Sequence, residues 1–471
     1  MFQFTLSFRL CAILAISGIA RWSSRNRYAH HNKFSNLISC VEFPHKVDQS
    51  VLDYIYSLKR EGMKFDLEVV NSFSDMLGNP QNSFRSVHVA GTNGKGSTSA
   101  LIYSVLNLKK KTGLYTSPHL VKFNERIISG GETISDERIE SFILNQIPSI
   151  ERLKENNRNP TFFEVTTLMA FDFFRESHDK WAAIEVGLGG RLDATNIITP
   201  EMSVITQIGY EHASILGGTL TAIAREKAGI IKNGVPAVTG ETKPEPLNEI
   251  NRVARLKKSK LIISSRYCAV SGRVSSLEGN TLRVTTPVDT YEISTSIPGK
   301  LQIANVVTAI AALENLPDPP GRIDVERGIR EARWPGRIEV VRRDPVVIID
   351  AAHNPSAAWS MVRSLKELIS EEPILVVGQL KDKDHFSFLT AVRQLSGSII
   401  LTTPDEETRA ENPEKLLPIA KELFREVRVI SDPREAYAAA LSTSRPVLVT
   451  GSIYLIGIIK EAEKSSLNPF K

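Results

Sequence analysis

A glycine-rich segment, Gly91-Thr-Asn-Gly-Lys-Gly-Ser97, most constrains how this chain can fold. The residues before it, Ser86-Val-His-Val-Ala90, are mainly apolar and predict a short strand. The residues after it, from Thr98 to Leu108, have the apolar spacing of a helix. A strand, a glycine segment and a helix in this order are typical of α/β folds, in which helices cover a mostly parallel sheet.

The same alternation extends on both sides of the glycine segment. Between Val51 and Leu77 the apolar residues recur at helical spacing and predict one or two short helices. A further helix is predicted at Phe162 to Arg175. Further strands are predicted at Thr112 to Tyr115, Ala182 to Val186 and Ser203 to Ile208. We therefore expect a largely parallel sheet covered by helices.

The pattern changes between Lys260 and Ile297, where short β-type pieces are separated by Gly and Asn turns. The pieces are Leu261 to Ser264, Leu282 to Thr285 and Tyr291 to Ile293. Short strands with this spacing predict a small antiparallel subregion. The helix that contains Asn305 follows it.

A second βα series begins after two turn-rich segments, Leu316-Pro-Asp-Pro-Pro-Gly321 and Trp334-Pro-Gly-Arg337. Its predicted strands are Val346 to Ile349, Ile374 to Val377, Ile399 to Thr402, Val427 to Ile430 and Val447 to Thr450. Because 471 residues exceed what one hydrophobic core usually organises, we expect two domains and an appendage. The predicted bounds are 1–47 for a leader, 48–333 for the domain with the glycine segment and 338–471 for a doubly wound, Rossmann-like domain.

The leader carries the excess charge of the chain. Residues 1–41 contain five basic residues and no acid, and removing these five from the 58 Lys and Arg leaves 53, equal to the 53 Asp and Glu. The charge of the body therefore gives no support to a nucleic-acid partner. The apolar run from Leu10 to Ala20 is shorter than the roughly 20 residues that cross a bilayer, so no membrane partner is expected.

Three interpretations of the leader stay open. Its basic, acid-free composition fits an organellar presequence, its apolar run fits a secretory signal, and translation could instead begin later, at a non-Met start such as Leu37 or Val41. The cysteines, Cys11, Cys40 and Cys268, are too scattered for a disulfide framework and indicate a reducing compartment. We expect a cytoplasmic protein, with a mitochondrial location as the alternative.

The glycine segment has the features of a phosphate-binding loop. Backbone amides of such a loop and the N-terminus of the following helix both favour an anion. Lys95 would place a full charge on the β and γ phosphates of a nucleotide, and Ser97 or Thr98 would place a hydroxyl near a metal ion. The spacing departs from G-x-x-x-x-G-K-[ST], because two residues separate the first glycines and Gly96 is additional.

Several segments along the chain, in a fixed order, are similar to one family. They are Gly91-Thr-Asn-Gly-Lys-Gly-Ser97, Gly113-Leu-Tyr-Thr-Ser-Pro-His-Leu120, Phe123-Asn-Glu-Arg-Ile127, Phe163-Glu-Val-Thr-Thr167, Glu185-Val-Gly-Leu-Gly-Gly-Arg-Leu-Asp-Ala-Thr-Asn196, Glu226-Lys-Ala-Gly-Ile-Ile-Lys232, Trp334-Pro-Gly-Arg337 and Asp350-Ala-Ala-His-Asn-Pro355. In these segments the chain resembles the folylpolyglutamate synthase and dihydrofolate synthase family of the Mur ligase superfamily. The likeness covers the chain from about residue 50 to its end.

Polar side chains at three strand ends predict a metal site. Glu185 ends one apolar strand, His212 follows another, and Ser117 lies in the loop after a third. Ligands of open α/β sheets bind at the carboxyl ends of the strands, so these groups could converge on one Mg²⁺. The family typically has Asp-His where this sequence has Glu211 before His212, and the role of Glu211 stays open. The resemblance further implies that Lys227 is carbamylated and holds a second Mg²⁺.

The resemblance also implies roles in binding and catalysis. The nucleotide contacts that it implies are Asn93, Gly94, Lys95, Gly96, Ser97, Asn305, Arg337 and Asp350. The contacts to the pterin acid that it implies are Thr161, Phe162, Phe163, Glu164, Leu192, Asp193 and Ala194. The catalytic residues are Lys95, Lys227 and His353. Phe162 and Phe163 could equally be core residues at helical spacing.

The activity that the resemblance implies is ATP-dependent ligation. The expected enzyme activates a carboxylic acid as an acyl phosphate and joins it to L-glutamate, with ATP and two Mg²⁺ ions as cofactors. The acid is dihydropteroate, a reduced folate or both, and the expected oligomeric state is a monomer. Two alternatives stay open, a Mur-type ligase that acts on another acid and a P-loop nucleotide switch. The switch would have no use for Lys227 or for Asp350-Ala-Ala-His-Asn354.

Overall fold

The fold is described by a computed structural model for residues 49–58, 66–210, 216–404 and 409–466. The leader predicted at 1–47 lies outside these residues, and so do Glu211 and His212. The described residues all lie within one unit, Val47–Lys471.

The glycine segment follows an interior strand of an eight-stranded sheet. The strands are β1 (Arg85–Ala90), β2 (Thr112–Tyr115), β3 (Ile127–Ser129), β4 (Glu132–Thr133), β5 (Trp181–Glu185), β6 (Met202–Ile205), β7 (Ala237–Thr239) and β8 (Leu261–Ile263). Their order is β4-β3-β2-β5-β1-β6-β7-β8, in which β2–β3 and β3–β4 are antiparallel and the other pairs are parallel. The predicted parallel sheet is confirmed, and the carboxyl ends of its parallel strands share one edge.

Helices cover both faces of this sheet. They are α1 (Gln49–Ser57), α2 (Glu68–Met76), α3 (Lys95–Leu106), α4 (Asp136–Glu155), α5 (Phe162–Glu176), α6 (Leu220–Ala228), α7 (Pro244–Leu256), α8 (Ser264–Tyr267), α9 (Lys300–Glu314) and α10 (Arg322–Glu331). One hydrophobic core holds α3, α9, α10 and Ala183 of β5. A second core holds α1, α2, α4 and α5. It also holds Ala182 and Ile184, the residues of β5 on either side of Ala183. Because successive side chains of β5 enter opposite cores, the strand is apolar throughout.

A three-stranded antiparallel sheet follows, in the order β11-β10-β9. It is formed by β9 (Ala269–Ser276), β10 (Gly279–Thr285) and β11 (Thr290–Thr295). This confirms the antiparallel subregion, but the prediction was wrong for Leu261 to Ser264. Leu261–Ile263 is β8, which pairs in parallel with β7 of the large sheet. Three consecutive apolar residues show no alternation, so the sequence pattern could not distinguish parallel from antiparallel pairing at this strand.

The second βα series forms its own six-stranded sheet. Its strands are β12 (Glu339–Arg343), β13 (Val346–Ile349), β14 (Ile374–Val377), β15 (Ser398–Leu401), β16 (Glu426–Val429) and β17 (Val447–Thr450). The order is β12-β13-β17-β14-β15-β16, and every pair is parallel except β12–β13. The helices are α11 (Pro355–Leu368), α12 (His385–Val392), α13 (Pro413–Leu423), α14 (Pro433–Leu441) and α15 (Ile453–Ser466).

This second sheet is doubly wound, as predicted. Alternate residues of its strands enter two separate cores, one on each face. Short 3₁₀ turns at Pro80–Asn82, Phe123–Arg126 and Ala194–Ile197 complete the regular structure. Within the described ranges, no helix is both long enough and apolar enough to cross a membrane.

Candidate active site

The glycine segment turns sharply from β1 into α3. Gly94, the residue before α3, has a φ of +91°, and a Cβ on it would lie 2.3 Å from Oδ1 of Asn305. A Cβ on Gly91 would lie 1.8 Å from Oγ1 of Thr206. Larger residues are excluded at both positions, because the backbone passes too close to its neighbours. Gly94 immediately precedes α3 and has no side chain that could cap its first amides, so these amides suit an anion.

Two lysines point at the same atom of this segment. Nζ of Lys95 donates hydrogen bonds to the carbonyl oxygens of Gly91, at 3.1 Å, and Thr92, at 3.3 Å. Nζ of Lys227, a buried residue of α6, donates to the carbonyl oxygen of Gly91 at 2.7 Å. Two cationic groups therefore meet beside the loop, where they favour a polyanion such as a nucleotide phosphate.

Hydroxyl groups at the start of α3 are also available. The side-chain oxygens of Ser97 and Thr98 are buried and have no hydrogen-bond partner among the described residues. Buried hydroxyls are nearly always hydrogen-bonded in folded proteins. A phosphate oxygen or a hydrated metal ion at the loop would supply the missing partners.

A cavity of about 320 Å³ opens in front of the glycine segment and reaches the second βα series. Predicted site residues that line it are Asn93, Gly94, Lys95, Gly96, Ser117, Glu185, Lys227, Arg337, Asp350 and His353. Ser97 and Asn305 do not line it. Asn305 instead lies against Gly94, and its Nδ2 donates to Oε1 of Gln302 at 2.9 Å. The structure thus brings most of the predicted phosphate and metal residues to one place.

Glu185 provides a buried carboxylate at the end of β5. Its Oε2 accepts a hydrogen bond from the amide of Ser117 at 3.0 Å, so two of the predicted metal ligands are neighbours. Burial raises the pKa of Glu185, and the charge of Lys95 opposes this rise. A bound cation would further stabilise the ionised carboxylate.

The candidate metal site is only partly described. His212 lies outside the described residues. Within the described ranges, no three His, Cys, Asp or Glu side chains are grouped closely enough to hold a metal ion. The predicted donors within the described ranges are the carboxylate of Glu185, the hydroxyl of Ser117 and a carbamate on Lys227, and His212 would add to them.

Asp350 organises the second side of the cavity. Its carboxylate is buried and accepts hydrogen bonds from the amides of Ile338 and Ala352, both at 2.9 Å. Burial raises the pKa of Asp350, and the nearby charge of Arg337 opposes the rise. Nδ1 of His353 lies 2.9 Å from the carbonyl oxygen of Ala351. Asp350 therefore fixes the segments that carry Arg337 and His353.

The glycine segment touches the second βα series directly. Nδ2 of Asn93 donates to Oγ of Ser356 at 3.2 Å, and Nδ2 of Asn354 donates to Oδ1 of Asn93 at 3.3 Å. Asn354 also caps α11 by accepting a hydrogen bond from the amide of Ala357. The glycine segment, referred to below as the P-loop, is thus joined to the start of α11 by side-chain hydrogen bonds.

The residues predicted to contact a pterin acid are not among those that line the cavity. Thr161 and Glu164 cap α5 reciprocally, and the ring of Phe162 stacks on Tyr56 at 5.6 Å between centroids. These three have structural roles in the described fold. Phe163 differs, because its ring covers Gly187, where a Cβ would lie 2.4 Å from its Cζ.

The second group of residues predicted to contact the pterin acid, Leu192 to Ala194, lies in the segment after β5 that also contains Gly187. Asp193 is buried and accepts a hydrogen bond from the amide of Leu188 at 2.8 Å, and Ala194 is also buried. Gly187 and Leu188 line the cavity. Phe163 and Asp193 therefore support the wall of the cavity from behind.

Two cations of the second βα series were missed by the sequence analysis. Lys383 and Arg409 line the same cavity, opposite the glycine segment, and both lie near Asp382, with N–O distances of 3.4 and 3.8 Å. Lys383 lies in the loop after β14, and Arg409 lies beyond β15. Their position beyond the carboxyl ends of parallel strands was the signal that could have identified them.

Comparisons with known proteins agree with this geometry. Residues 89–313 match the Mur ligase middle domain, and residues 336–453 match the glutamate ligase domain of Mur ligases. Folylpolyglutamate synthase of Lacticaseibacillus casei is 34% identical over 87% of this chain and 96% of its own length. Dihydrofolate synthase/folylpolyglutamate synthase of Bacillus subtilis is 34% identical over 88% of this chain and 99% of its own length.

Solved structures are similar over the same range. Mycobacterium tuberculosis folylpolyglutamate synthase complexed with ADP has a TM-score of 0.82 and 30% identity, and covers 88% of this chain and 98% of its own. Escherichia coli FolC in complex with DHPP and ADP has a TM-score of 0.79 and 29% identity, and covers 90% of this chain and 100% of its own. The fold and site define an ATP-dependent ligase of the Mur type. Within that class, the chain belongs to the family of folylpolyglutamate and dihydrofolate synthases.

Proposed function

We propose that this ligase joins L-glutamate to the free carboxylate of a folate-type acid, with dihydropteroate, a reduced folate or both as acceptor and ATP as the energy source. The observation that carries the proposal is the single cavity in which Lys95, Glu185 and Lys227 face Arg337 and Asp350. One side of it suits nucleotide phosphates, and the other supplies cations for a second anionic substrate.

Activation of the acid is the first step. A free carboxylate does not react with an amine at neutral pH, because its oxygen is a poor leaving group. An oxygen of the acid therefore attacks the γ-phosphorus of ATP, the bond to the bridging oxygen breaks, and ADP leaves. Lys95 neutralises charge that develops on the transferred group, and Arg337 contacts its oxygens from the opposite wall.

Amide formation is the second step. The amine of glutamate attacks the carbonyl carbon of the acyl phosphate, and phosphate leaves with one oxygen of the original carboxylate. The amine must lose a proton, and we propose that His353, which lines the cavity, accepts it. When Nδ1 of His353 donates to the carbonyl oxygen of Ala351, 2.9 Å away, the ring is fixed with Nε2 as its proton acceptor.

Lys383 and Arg409 are proposed to hold the carboxylates of glutamate. Both cations line the cavity on the side of the second βα series, where Asp382 lies between them. Their two charges match the two carboxylates of the amino acid, whose amine would then face the acyl phosphate. This arrangement assigns activation to the first half of the chain and amino-acid binding to the second.

Mg²⁺ fits oxygen donors in and beside the glycine segment. The hydroxyl of Ser97, which is buried without a hydrogen-bond partner among the described residues, and the carboxylate of Glu185 are oxygen donors of the kind that Mg²⁺ prefers. Ser117 would add a hydroxyl, and a carbamate on Lys227 would add a second anionic group for another ion. Bound Mg²⁺ supplies positive charge to the phosphate oxygens.

Phosphate release from MgATP tests this proposal. Release that requires both glutamate and one of the two acids, with a product one glutamyl unit heavier by mass spectrometry, supports it and identifies the acceptor. Bound nucleotide without stimulation by either acid would refute the folate assignment and indicate a different Mur-type acid. Nucleotide hydrolysis that needs neither acid nor amine would indicate a nucleotide switch instead.

A further inference from the structure

A fully buried histidine lies on the strand that leads into the P-loop. His88 belongs to β1 and has no solvent exposure. Its Nε2 lies 2.8 Å from Oγ1 of Thr195, a residue in the 3₁₀ turn beyond β5. Its Nδ1 has no hydrogen-bond partner in the described part of the chain. His88 is not part of the cavity lining, so any effect on the reaction must pass through its neighbours.

The hydrogen bonds continue from Thr195 towards the cavity. Oγ1 of Thr195 donates to Oδ1 of Asp193 at 2.5 Å, and the amide of Thr195 donates to the same oxygen at 3.0 Å. Oδ2 of Asp193 accepts from the amide of Leu188 at 2.8 Å. A continuous buried chain thus runs from the imidazole on β1 to the backbone of Leu188 in the cavity wall.

The direction of these bonds follows from the number of hydrogens. Burial raises the pKa of Asp193, but amides donate to both of its oxygens and oppose this rise, and the carboxylate also accepts from the hydroxyl of Thr195. Thr195 then uses its one hydroxyl hydrogen on Asp193, and only Nε2–H of His88 can donate to Thr195. Burial lowers the pKa of His88 to about 3, so the ring is neutral and carries a single hydrogen. That hydrogen lies on Nε2, and Nδ1 is a buried, unpaired acceptor.

An unpaired buried acceptor destabilises the fold, because burial removes its hydrogen bond to water and nothing replaces it. A leucine or methionine of similar size would fill the same space without that cost. What the histidine adds is an N–H donor aimed at Thr195. The physical consequence is a single orientation for Thr195 and, through it, for Asp193.

The far end of the chain is the segment of cavity wall next to Glu185. Gly187 and Leu188 line the cavity immediately after Glu185 and Val186. The ring of Phe163 packs on Gly187, and Asp193 holds Leu188 by its amide. A shift of Asp193 would therefore move this segment of the cavity wall.

We propose that His88 is a positioning residue for the acid substrate, acting through Thr195 and Asp193 on the wall formed by Gly187 and Leu188. The proposal rests on the proposed ligase function and adds that the acid lies against this wall. His88 makes no contact with substrate. Its role is to keep Asp193 in one orientation.

Four variants with steady-state kinetics test this proposal. His88→Leu removes the donor, His88→Gln keeps an N–H near the position of Nε2, Thr195→Val removes the hydroxyl, and the fourth combines His88→Leu with Thr195→Val. We expect His88→Leu and Thr195→Val each to raise KM for the acid about tenfold, with KM for MgATP changed less than about threefold. KM for the acid in His88→Gln should lie within about threefold of the wild-type value. In the double variant, KM for the acid should be no higher than in either single variant.

A matched control separates positioning from stability. Tyr437→Phe removes a buried hydrogen bond of 2.7 Å, to Oε1 of Glu463, at a position away from the cavity lining. It should lower the melting temperature without a change in any KM. If His88→Leu behaves in the same way, the proposal is wrong.

The remaining outcomes also decide the proposal. If His88→Leu does not fold, Thr195→Val and His88→Gln decide the question, because an unchanged KM for the acid in Thr195→Val refutes the chain. Multiplicative effects in the double variant would show that His88 acts by another route. A wild-type protein that is inactive with both acids would remove the proposed function and, with it, this inference.

Discussion

Lys95 and Lys227 donate hydrogen bonds to one atom, the carbonyl oxygen of Gly91, at 3.1 and 2.7 Å. Lys95 belongs to the first turn of α3, whereas Lys227 reaches the same place from α6. Two ammonium groups at one carbonyl repel each other. Conversion of Lys227 to a carbamate would replace this repulsion with attraction and would add an anionic oxygen beside the loop.

Carbamylation of Lys227 is therefore the first prediction. The ¹³C NMR spectrum of protein kept in ¹³CO₂ should contain a carbamate resonance that is absent from Lys227→Gln. The variant should lose activity by about 10²-fold or more, because the removal of one group that stabilises transition-state charge has effects of this size. Lys232→Gln is a suitable control, since Lys232 donates to the carbonyl oxygen of Asn196 and does not line the cavity. An unchanged spectrum in Lys227→Gln would exclude the modification at this residue.

Gly94 gives a second prediction, because a side chain at this position would cause both backbone strain and a steric clash. Gly94→Ala should abolish measurable nucleotide binding, since a Cβ would lie 2.3 Å from Oδ1 of Asn305 and the φ of +91° is unfavourable for alanine. Gly131 has a φ of +105°, and no described residue lies within 4 Å of a Cβ built on it. Gly131→Ala therefore carries the backbone strain alone and should cost about 1–2 kcal/mol of stability with nucleotide affinity retained. Isothermal titration with ADP and thermal unfolding measure both effects. Equal loss of affinity in the two variants would contradict this account.

The proposed binding of the glutamate carboxylates by Lys383 and Arg409 gives a third prediction. Lys383→Met should raise KM for glutamate by about 10-fold to 100-fold, because a charge-assisted hydrogen bond to a carboxylate is lost, while KM for MgATP should change little. Lys381→Met is the matched control, since Lys381 is exposed two residues earlier and does not line the cavity. A change confined to KM for MgATP would place Lys383 at the nucleotide instead.

The acid sensitivity of the fold gives a fourth prediction. Burial lowers the pKa of His88 from 6.5 to about 3, so the folded protein binds fewer protons than the unfolded chain between these pH values. Stability must then fall as the pH is lowered through this window, by about 2 kcal/mol from this residue between pH 7 and pH 5. His88→Gln has no such group, so its urea denaturation midpoint should fall less over the same interval. Parallel pH dependence in the two proteins would show that His88 is not buried in its neutral form.

Much of the P-loop half could be predicted from sequence, because its signals are local. Glu185 and Ser117 were expected to meet because Glu185 ends one strand of a parallel sheet and Ser117 follows another, and in the structure the amide of Ser117 donates to Glu185 at 3.0 Å. The expected helix at Phe162 to Arg175 also agrees with the observed Phe162–Glu176. In both cases an apolar pattern fixed the element, and the element fixed the direction of the side chain.

Contacts between distant elements could not be predicted in this way. The bonds from Asn93 to Ser356 and Asn354 depend on how the second βα series packs against the first, and no local pattern encodes that packing. Lys383 and Arg409 reach the cavity for the same reason. The hydrogen bonds that link His88 through Thr195 to Asp193 were not predicted, because the pattern of an apolar strand gives no reason to single out one polar residue within it.

The origin of the oxygen in the released phosphate tests the central claim most directly. The acid, labelled with ¹⁸O in its carboxylate, is incubated with enzyme, MgATP and glutamate, and the phosphate is analysed by mass spectrometry. An acyl-phosphate ligase transfers one carboxylate oxygen to each phosphate, so the account predicts one ¹⁸O atom per phosphate released. Unlabelled phosphate, formed together with the glutamyl product, would contradict it, because the acid would then have been activated without forming a bond to the γ-phosphorus.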